Sequence, residues 1–167
     1  MTQLYAQPYD ITANGFYFET AEDYATKASA LRNDYGDQVE EFEIQFIDGE
    51  GIDCELAKTI GINQANFAQF FECVDAWDDE QKRIVIIALG DCGYDFDPDM
   101  KPADYDIDIY HLDSLTELAE QFVEEGLFGD IPKALENYID MDAIARDLGF
   151  DYTEAEIAGQ RLIYRVS

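Results

Sequence analysis

Basic residues are scarce in this 167-residue sequence, which has ten Lys or Arg against 38 Asp or Glu and a formal net charge of −28. The imbalance argues against direct binding to nucleic acid or to anionic lipid, because both are polyanions. It also exceeds the net charge of about 2–8 in magnitude that keeps a small domain soluble. Two explanations stay open: a merely acidic or salt-adapted protein, and a protein that binds a strongly basic partner.

Cysteine, histidine and long apolar runs are also scarce. The three cysteines form no CxxC pair, so we predict free thiols in a reducing cytoplasm. The longest apolar run, "IVIIALG", is too short to span a membrane, and the N-terminus lacks the basic and apolar regions of a signal peptide. His111 is the only histidine, and neither a nucleophile motif nor a Gly-rich phosphate loop occurs. We therefore predict that the protein is not an enzyme and has no catalytic residue.

Aromatic residues are abundant, with 11 Phe and 11 Tyr, so the chain has enough apolar surface to fold. Strand-like alternation and helix-like periodicity both occur, which predicts an α+β protein. We divide it into three small domains: an α+β domain over residues 1–60, a small helical domain over residues 61–103 and an α+β domain over residues 104–167. Acids outnumber bases in all three.

Turn and cap residues place the elements of the first two domains. Asn14-Gly15 between two apolar runs predicts a β-hairpin whose second strand is Phe16–Phe18. A helix follows, with Thr20 as its N-cap and Gly36 beyond its end, and the alternating "EEFEIQFIDGE" predicts a strand. In the middle domain "NQANFAQFFECVDAW" predicts a helix. The segment "DDEQKRIVIIALG" begins and ends like a second helix, although its β-branched run also allows a buried strand.

The third domain begins with an alternating pattern. "DYDIDIYHL" predicts a strand with Asp104, Asp106 and Asp108 on one face. Helices are predicted over "SLTELAEQFVEEGLFGD" and from Pro132 to Gly149, and "RLIYRV" closes the chain as a strand.

Metal binding is one explanation for the Asp-rich stretch "GYDFDPDMKPADYDIDIYHLD". Asp95, Asp97 and Asp99 match the start of a calcium-binding loop. The EF-hand pattern then requires Gly at the sixth position and Glu at the twelfth, where this sequence has Met100 and Asp106. We therefore predict no metal site and keep calcium dependence only within an alternative function.

The carboxylates of this stretch and of the helix after it are regularly spaced. Alternate residues of a strand lie about 6.5–7 Å apart, and helix positions three or four apart are separated by about 4.5–6 Å along the axis. Duplex DNA carries one charge per about 1.7 Å of axis, so neighbouring phosphates of one strand lie several ångströms apart. A solvated polar face is the alternative, but such faces usually include Lys and Arg, and none occurs between Pro102 and Pro132. The pattern predicts a surface that imitates DNA phosphates, formed by Asp95, Asp97, Asp99, Asp104, Asp106, Asp108, Asp113, Glu117, Glu120 and Glu124.

The C-terminal part carries a family resemblance. "IYHLDSLTELAEQFVEE" followed by "GLFGDIPKALENYIDMDAIARDL", residues 126–148, resembles the ArdA-type antirestriction proteins. An acidic helix and a Gly-containing break precede the motif IP-x-x-L-x-N-YID-x-x-A-x-ARDL, and residues 39–51 show weaker similarity. The motif positions are Ile131, Pro132, Leu135, Asn137, Tyr138, Ile139, Asp140, Ala143, Ala145, Arg146, Asp147 and Leu148.

The resemblance implies an elongated chain of three small α/β or helical domains that pairs into a curved homodimer. It implies that the carboxylates imitate bent B-form DNA and occupy the DNA-binding groove of type I restriction–modification enzymes, at their methyltransferase core. Genes of this family are carried on conjugative plasmids and transposons and protect incoming DNA. The resemblance implies no catalysis and no cofactor. An acidic or calcium-dependent interaction module that binds another basic partner remains the alternative function.

The motif itself also has a packing interpretation. Tyr138 and Ile139 are predicted to lie in the core or at the dimer interface, because apolar residues at helical spacing usually pack. Arg146 is predicted to form a structural ion pair with Asp147 or Asp142.

Overall fold

The computed structural model describes all residues, 1–167, and contains six α-helices and six strands. The strands form two antiparallel three-stranded sheets, so the mixed composition agrees with the predicted α+β class. Contacts within the chain divide it into two compact units, Met1–Pro102 and Ala103–Ser167. The predicted domains 1–60 and 61–103 therefore fall within the first unit, and their separation stays a prediction.

The sheet of the first unit has the strand order β2–β1–β3, with β1 at Gln3–Pro8, β2 at Phe16–Phe18 and β3 at Phe42–Asp48. The predicted hairpin is confirmed, since β1 and β2 pair antiparallel, but a longer connection than Asn-Gly joins them. Gly15 has a spatial role in it, because a Cβ there would collide with the Tyr5 hydroxyl and lie 2.5 Å from the backbone oxygen of Ala6.

Four helices complete the first unit: α1 at Ala21–Ala30, α2 at Gly51–Ile60, α3 at Phe67–Ala76 and α4 at Asp79–Gly90. Thr20 caps α1, as predicted, by accepting a hydrogen bond from the Asp23 N–H at 3.0 Å. The sequence analysis did not identify α2.

The β-branched segment of α4 is helical, so the strand alternative is wrong. A reciprocal capping box between Asp78 and Gln81 starts this helix, with bonds of 2.8 and 3.0 Å. The helix is buried around most of its circumference, which explains why its apolar residues run continuously and resemble a buried strand.

An aromatic cluster forms much of the first unit's core. The Phe18 ring lies 5.2 Å from Phe67 and 6.0 Å from Phe71 between centroids, and Tyr24 lies 4.6 Å from Phe67. Aromatic pairs of this kind contribute about 0.5–1.5 kcal/mol beyond their area burial. The cluster joins β2, α1 and α3 into one packed body.

The second unit has the sheet order β4–β6–β5, with β4 at Ile107–Tyr110, β5 at Thr153–Ile157 and β6 at Gln160–Val166. Its helices are α5 at Leu115–Glu124 and α6 at Met141–Leu148. The core includes the packed cluster Leu118, Phe122 and Ile163, so α5 packs on the sheet. The closing strand is confirmed as β6.

The predicted strand "DYDIDIYHL" is wrong in its first half. Asp104 lies in a 3-10 helix at Pro102–Tyr105, and Asp106 has a φ of +51°. Sheet pairing begins only at Ile107, opposite Val166, because the φ of +51° at Asp106 lies outside the extended backbone of a strand.

The single helix predicted from Pro132 to Gly149 is also wrong. Lys133–Tyr138 form a 3-10 helix, Ile139 is extended, and α6 begins afterwards. Asp140 causes the break, because its side chain accepts a hydrogen bond from the Ala143 N–H at 3.0 Å and so caps a new helix.

None of the helices is both long enough and apolar enough to cross a lipid bilayer.

Candidate interaction surface

Helix α5 carries the best-defined group of the predicted carboxylates. Its buried residues, Leu118, Ala119 and Phe122, fix which face meets the sheet, and this leaves the acids on the other face exposed. Glu117 and Glu120 are separated by about 4.5 Å along the axis, and Glu120 and Glu124 by about 6 Å.

Hydrogen bonds hold the start of this acidic helix in place. Ser114 accepts a hydrogen bond from the Glu117 N–H at 3.2 Å, and the Glu117 carboxylate accepts one from the Asp113 N–H at 2.8 Å. The carboxylate of Glu154, on β5, accepts a hydrogen bond from the Leu115 N–H at 2.8 Å. A carboxylate at a helix N-terminus is also favoured by the helix dipole. The acidic helix is therefore fixed to the sheet before any partner arrives.

The sequence analysis missed two carboxylates of this unit. Glu154 and Glu156 are exposed on β5, alternating with the half-buried Ala155 and the buried Ile157. The signal was present, because "TEAEI" alternates between polar and apolar residues over the length of a short strand.

The carboxylates before β4 are exposed but not evenly spaced on a strand. Asp104, Asp106 and Asp108 are all exposed, as predicted, yet only Asp108 belongs to the sheet. The backbone carbonyl of Asp106 accepts a hydrogen bond from the Ser167 N–H at 3.1 Å, which fixes the turn into β4. The predicted repeat of about 6.5–7 Å therefore does not apply to these three residues.

Arg165 is a base beside this group, since it pairs with Asp108 across the β4–β6 ladder. Its guanidinium lies 5.5 Å from the centre of the Tyr152 ring and 3.5 Å from the Tyr152 hydroxyl. The hydrogen bond to Tyr152 raises the pKa of Arg165 above its ordinary value, so the base stays charged. Asp108 thus has a basic neighbour, unlike the acids of α5.

The two units use their bases differently. In the first unit Lys27 pairs with Asp23, Lys82 with Asp53 and Arg83 with Glu80. In the second unit no Lys or Arg forms an ion pair with a carboxylate. The predicted pair between Arg146 and Asp147 or Asp142 is therefore wrong, and the Glu residues on the exposed face of α5 have no ion-pair partner.

Asp95, Asp97 and Asp99 lie in the connection after α4 and are exposed. The Asp97 carboxylate accepts a hydrogen bond from the Asp99 N–H at 2.9 Å, which closes a tight turn. No group of three or more His, Cys, Asp or Glu in the structure is arranged to hold a metal ion. The three residues therefore lie on the surface as separate carboxylates.

The motif residues are mostly exposed. Tyr138 is 83% exposed and Leu135 is 53% exposed, so neither lies in the core of the chain, and the predicted dimer interface stays a prediction for Tyr138. Ile139 is half-buried and Ala145 is buried. The other motif positions are half-buried or exposed: Ile131, Pro132, Asn137, Asp140, Ala143, Arg146, Asp147 and Leu148.

These observations define a class of protein: a small acidic α+β protein with a rigid, unneutralised carboxylate face and no arranged metal ligands. The family model described as antirestriction protein (ArdA) matches residues 13–159. The chain belongs to the ArdA antirestriction protein family. A comparison with curated proteins found no match.

Proposed function

We propose that this protein mimics bent B-form DNA and occupies the DNA-binding groove of type I restriction–modification enzymes. The observation that carries the proposal is the exposed face of α5, where Glu117, Glu120 and Glu124 stand in one row and no base neutralises them. Family membership supports an antirestriction function. Inhibition by mimicry requires no catalytic group and no cofactor, so the protein acts as an inhibitor and not as an enzyme.

Fixed charges favour such a mimic. A flexible acidic chain loses conformational entropy when it docks, whereas α5 is already held by its packing and by the bond from Leu115 to Glu154. A basic channel also attracts a polyanion over long range, which raises the association rate at low salt. We therefore assign the phosphate-like role to the ten predicted carboxylates, with α5 at the centre.

The exposed apolar residues of the second unit support a homodimer. Leu127, Phe128, Leu135 and Tyr138 are between 53% and 83% exposed. All four lie in the connection between α5 and α6, and grouped exposed apolar residues are typical of an interface. We assign these residues to packing between two copies of the chain, which extends the carboxylate surface by symmetry.

A competition assay tests the mimicry. A type I methyltransferase core is bound to labelled duplex DNA, and the protein is added at several salt concentrations. We expect displacement near one dimer per enzyme, weakening as salt rises, because both effects follow from charge. Failure to displace DNA from any of several type I classes, by folded protein, contradicts the proposal.

Charge variants localise the contact. Neutralising the α5 face with Glu117→Gln, Glu120→Gln and Glu124→Gln is expected to weaken displacement and to make its salt dependence shallower. Gln121→Ala, on the same helix, changes no charge and serves as the matched control. Binding that requires calcium, or that DNA does not compete, favours the alternative acidic interaction module.

A further inference from the structure

Two loops of the first unit carry exposed apolar side chains that the carboxylate face does not explain. The loops are Tyr9–Ala13, between β1 and β2, and Asn33–Asp37, between α1 and β3; we call them the loop pair. Ile11 is 96% exposed, Tyr35 is 79% exposed and Tyr9 is 64% exposed. Scattered apolar residues on a surface are ordinary, but a group on adjoining loops marks an interaction site.

Side-chain hydrogen bonds join the two loops. The Asp10 carboxylate accepts bonds from the Thr12 N–H at 2.9 Å, the Thr12 hydroxyl at 2.8 Å and the Asn33 amide at 2.9 Å. The Asn33 side-chain oxygen accepts bonds from the N–H groups of Tyr35 and Asp37, each at 2.9 Å. The Thr12 hydroxyl also accepts a bond from the Asp34 N–H at 3.3 Å. The backbone that presents the apolar residues is thus ordered before binding, which reduces the entropy lost on docking.

The charge around the loop pair identifies the partner. Asp34, Asp37, Glu40 and Glu41 are exposed beside it. The nearby Arg32 directs its guanidinium to two backbone carbonyls, each at 2.8 Å. A surface rich in Lys and Arg complements these acids. Tyrosine rings suit such a surface, because they accept Lys or Arg on their faces and are frequent among the residues that dominate binding energy.

We infer that the loop pair is an apolar anchor that docks on a patch of the inhibited enzyme bordered by Lys and Arg. This inference rests on the proposed function. It adds a contact that depends on apolar burial and not mainly on charge. All of the first loop except Ala13 precedes residue 13, where the family match begins, so the anchor is not fully part of the matched region.

The double variant Ile11→Ser, Tyr35→Ser tests the anchor in the same displacement assay. We expect DNA displacement to need at least about tenfold more protein, because truncating a central apolar anchor typically costs more than 1 kcal/mol. The salt dependence is expected to stay unchanged, since no charge is removed. Ile47→Ser, at a 45% exposed position of β3, is the control and is expected to act like the wild-type protein.

The outcomes separate the two proposals. No displacement by the wild-type protein overturns the proposed function and this inference with it. Displacement by the wild-type protein that the double variant matches overturns the inference alone. Sedimentation of the wild-type protein and the double variant tests whether a second copy of the chain binds the loop pair. A lower mass for the double variant shows that a second copy, and not the enzyme, occupies this surface. That result also overturns the inference.

Discussion

The two units of this protein distribute charge and packing in different ways. The first unit buries an aromatic cluster and uses three of its bases in ion pairs, one of them inside the core. The second unit has a smaller core, forms no ion pair with its own bases and leaves most of its motif residues exposed. The comparison indicates that the first unit owes its stability to ordinary burial. The second unit leaves the carboxylates of α5 without an ion pair and leaves several large apolar side chains exposed.

Breaking the buried ion pair is expected to cause the largest loss in the free energy of unfolding. The loss is expected in the first unit only. The Lys82 ammonium lies 2.7 Å from the Asp53 carboxylate, with both side chains at least nine-tenths buried, and it joins α4 to α2. Lys82→Met leaves a buried charge uncompensated and is expected to cost about 3–5 kcal/mol. Urea unfolding measures this loss.

The matched double variant sharpens that result. Lys82→Met with Asp53→Leu replaces both charges with apolar groups and is expected to recover most of the lost stability, because the desolvation cost disappears as well. A double variant as unstable as Lys82→Met contradicts the account. It shows that the pair acts through shape and not through charge.

The next largest effect concerns the smaller core of the second unit. Leu118 is fully buried on α5 beneath the acidic face. Leu118→Ala is expected to cost about 3 kcal/mol through lost burial and a residual cavity. Amide hydrogen exchange is the suitable measurement, because it reports β4, β6 and α5 separately from the first unit. Equal loss of protection in both units would show that they unfold together.

A smaller loss of stability is expected from a substitution in the hairpin of the first unit. Gly15→Ala places a Cβ against the Tyr5 ring and the Ala6 carbonyl, and overpacking of this kind costs about 1–3 kcal/mol. Thermal melting measures it. Gly36→Ala is an informative control, because its added Cβ meets no atom within 4 Å while its φ of +80° strains the backbone. Comparing Gly15→Ala with Gly36→Ala distinguishes the cost of a steric clash from the cost of backbone strain.

The smallest expected effect is a gain in stability, and it tests the acidic face of α5 directly. Glu120 and Glu124 repel each other at i, i+4, so Glu120→Gln with Glu124→Gln is expected to stabilise the second unit by about 0.3 kcal/mol. The same variant is expected to weaken inhibition. Greater stability combined with weaker inhibition shows that these charges are kept for binding, whereas unchanged inhibition removes α5 from the proposed contact.

Local patterns in the sequence predicted most elements of both units. The hairpin, the cap at Thr20, the helices α3, α4 and α5 and the strand β6 follow from turn residues, caps and periodicity, which act over a few residues. Helix α2 and strand β5 were missed although "TEAEI" alternates. The error at Asp140 is also local in origin, because an N-cap acid inside a helical pattern was not taken as a start signal.

The amino-acid sequence by itself determined the acidity, the mixed fold and the family, since all three are carried by composition and short patterns. Only the tertiary structure decided where the charges lie. The backbone at Asp106 turns out of the strand while its carbonyl accepts a hydrogen bond from the distant Ser167 N–H, and Glu154 reaches α5 across 39 positions of sequence. The exposure of Tyr138 and the joining of Asp10 to Asn33 depend likewise on which distant segments meet. Contacts of this kind are set by the global packing of the chain, and no local pattern encodes them.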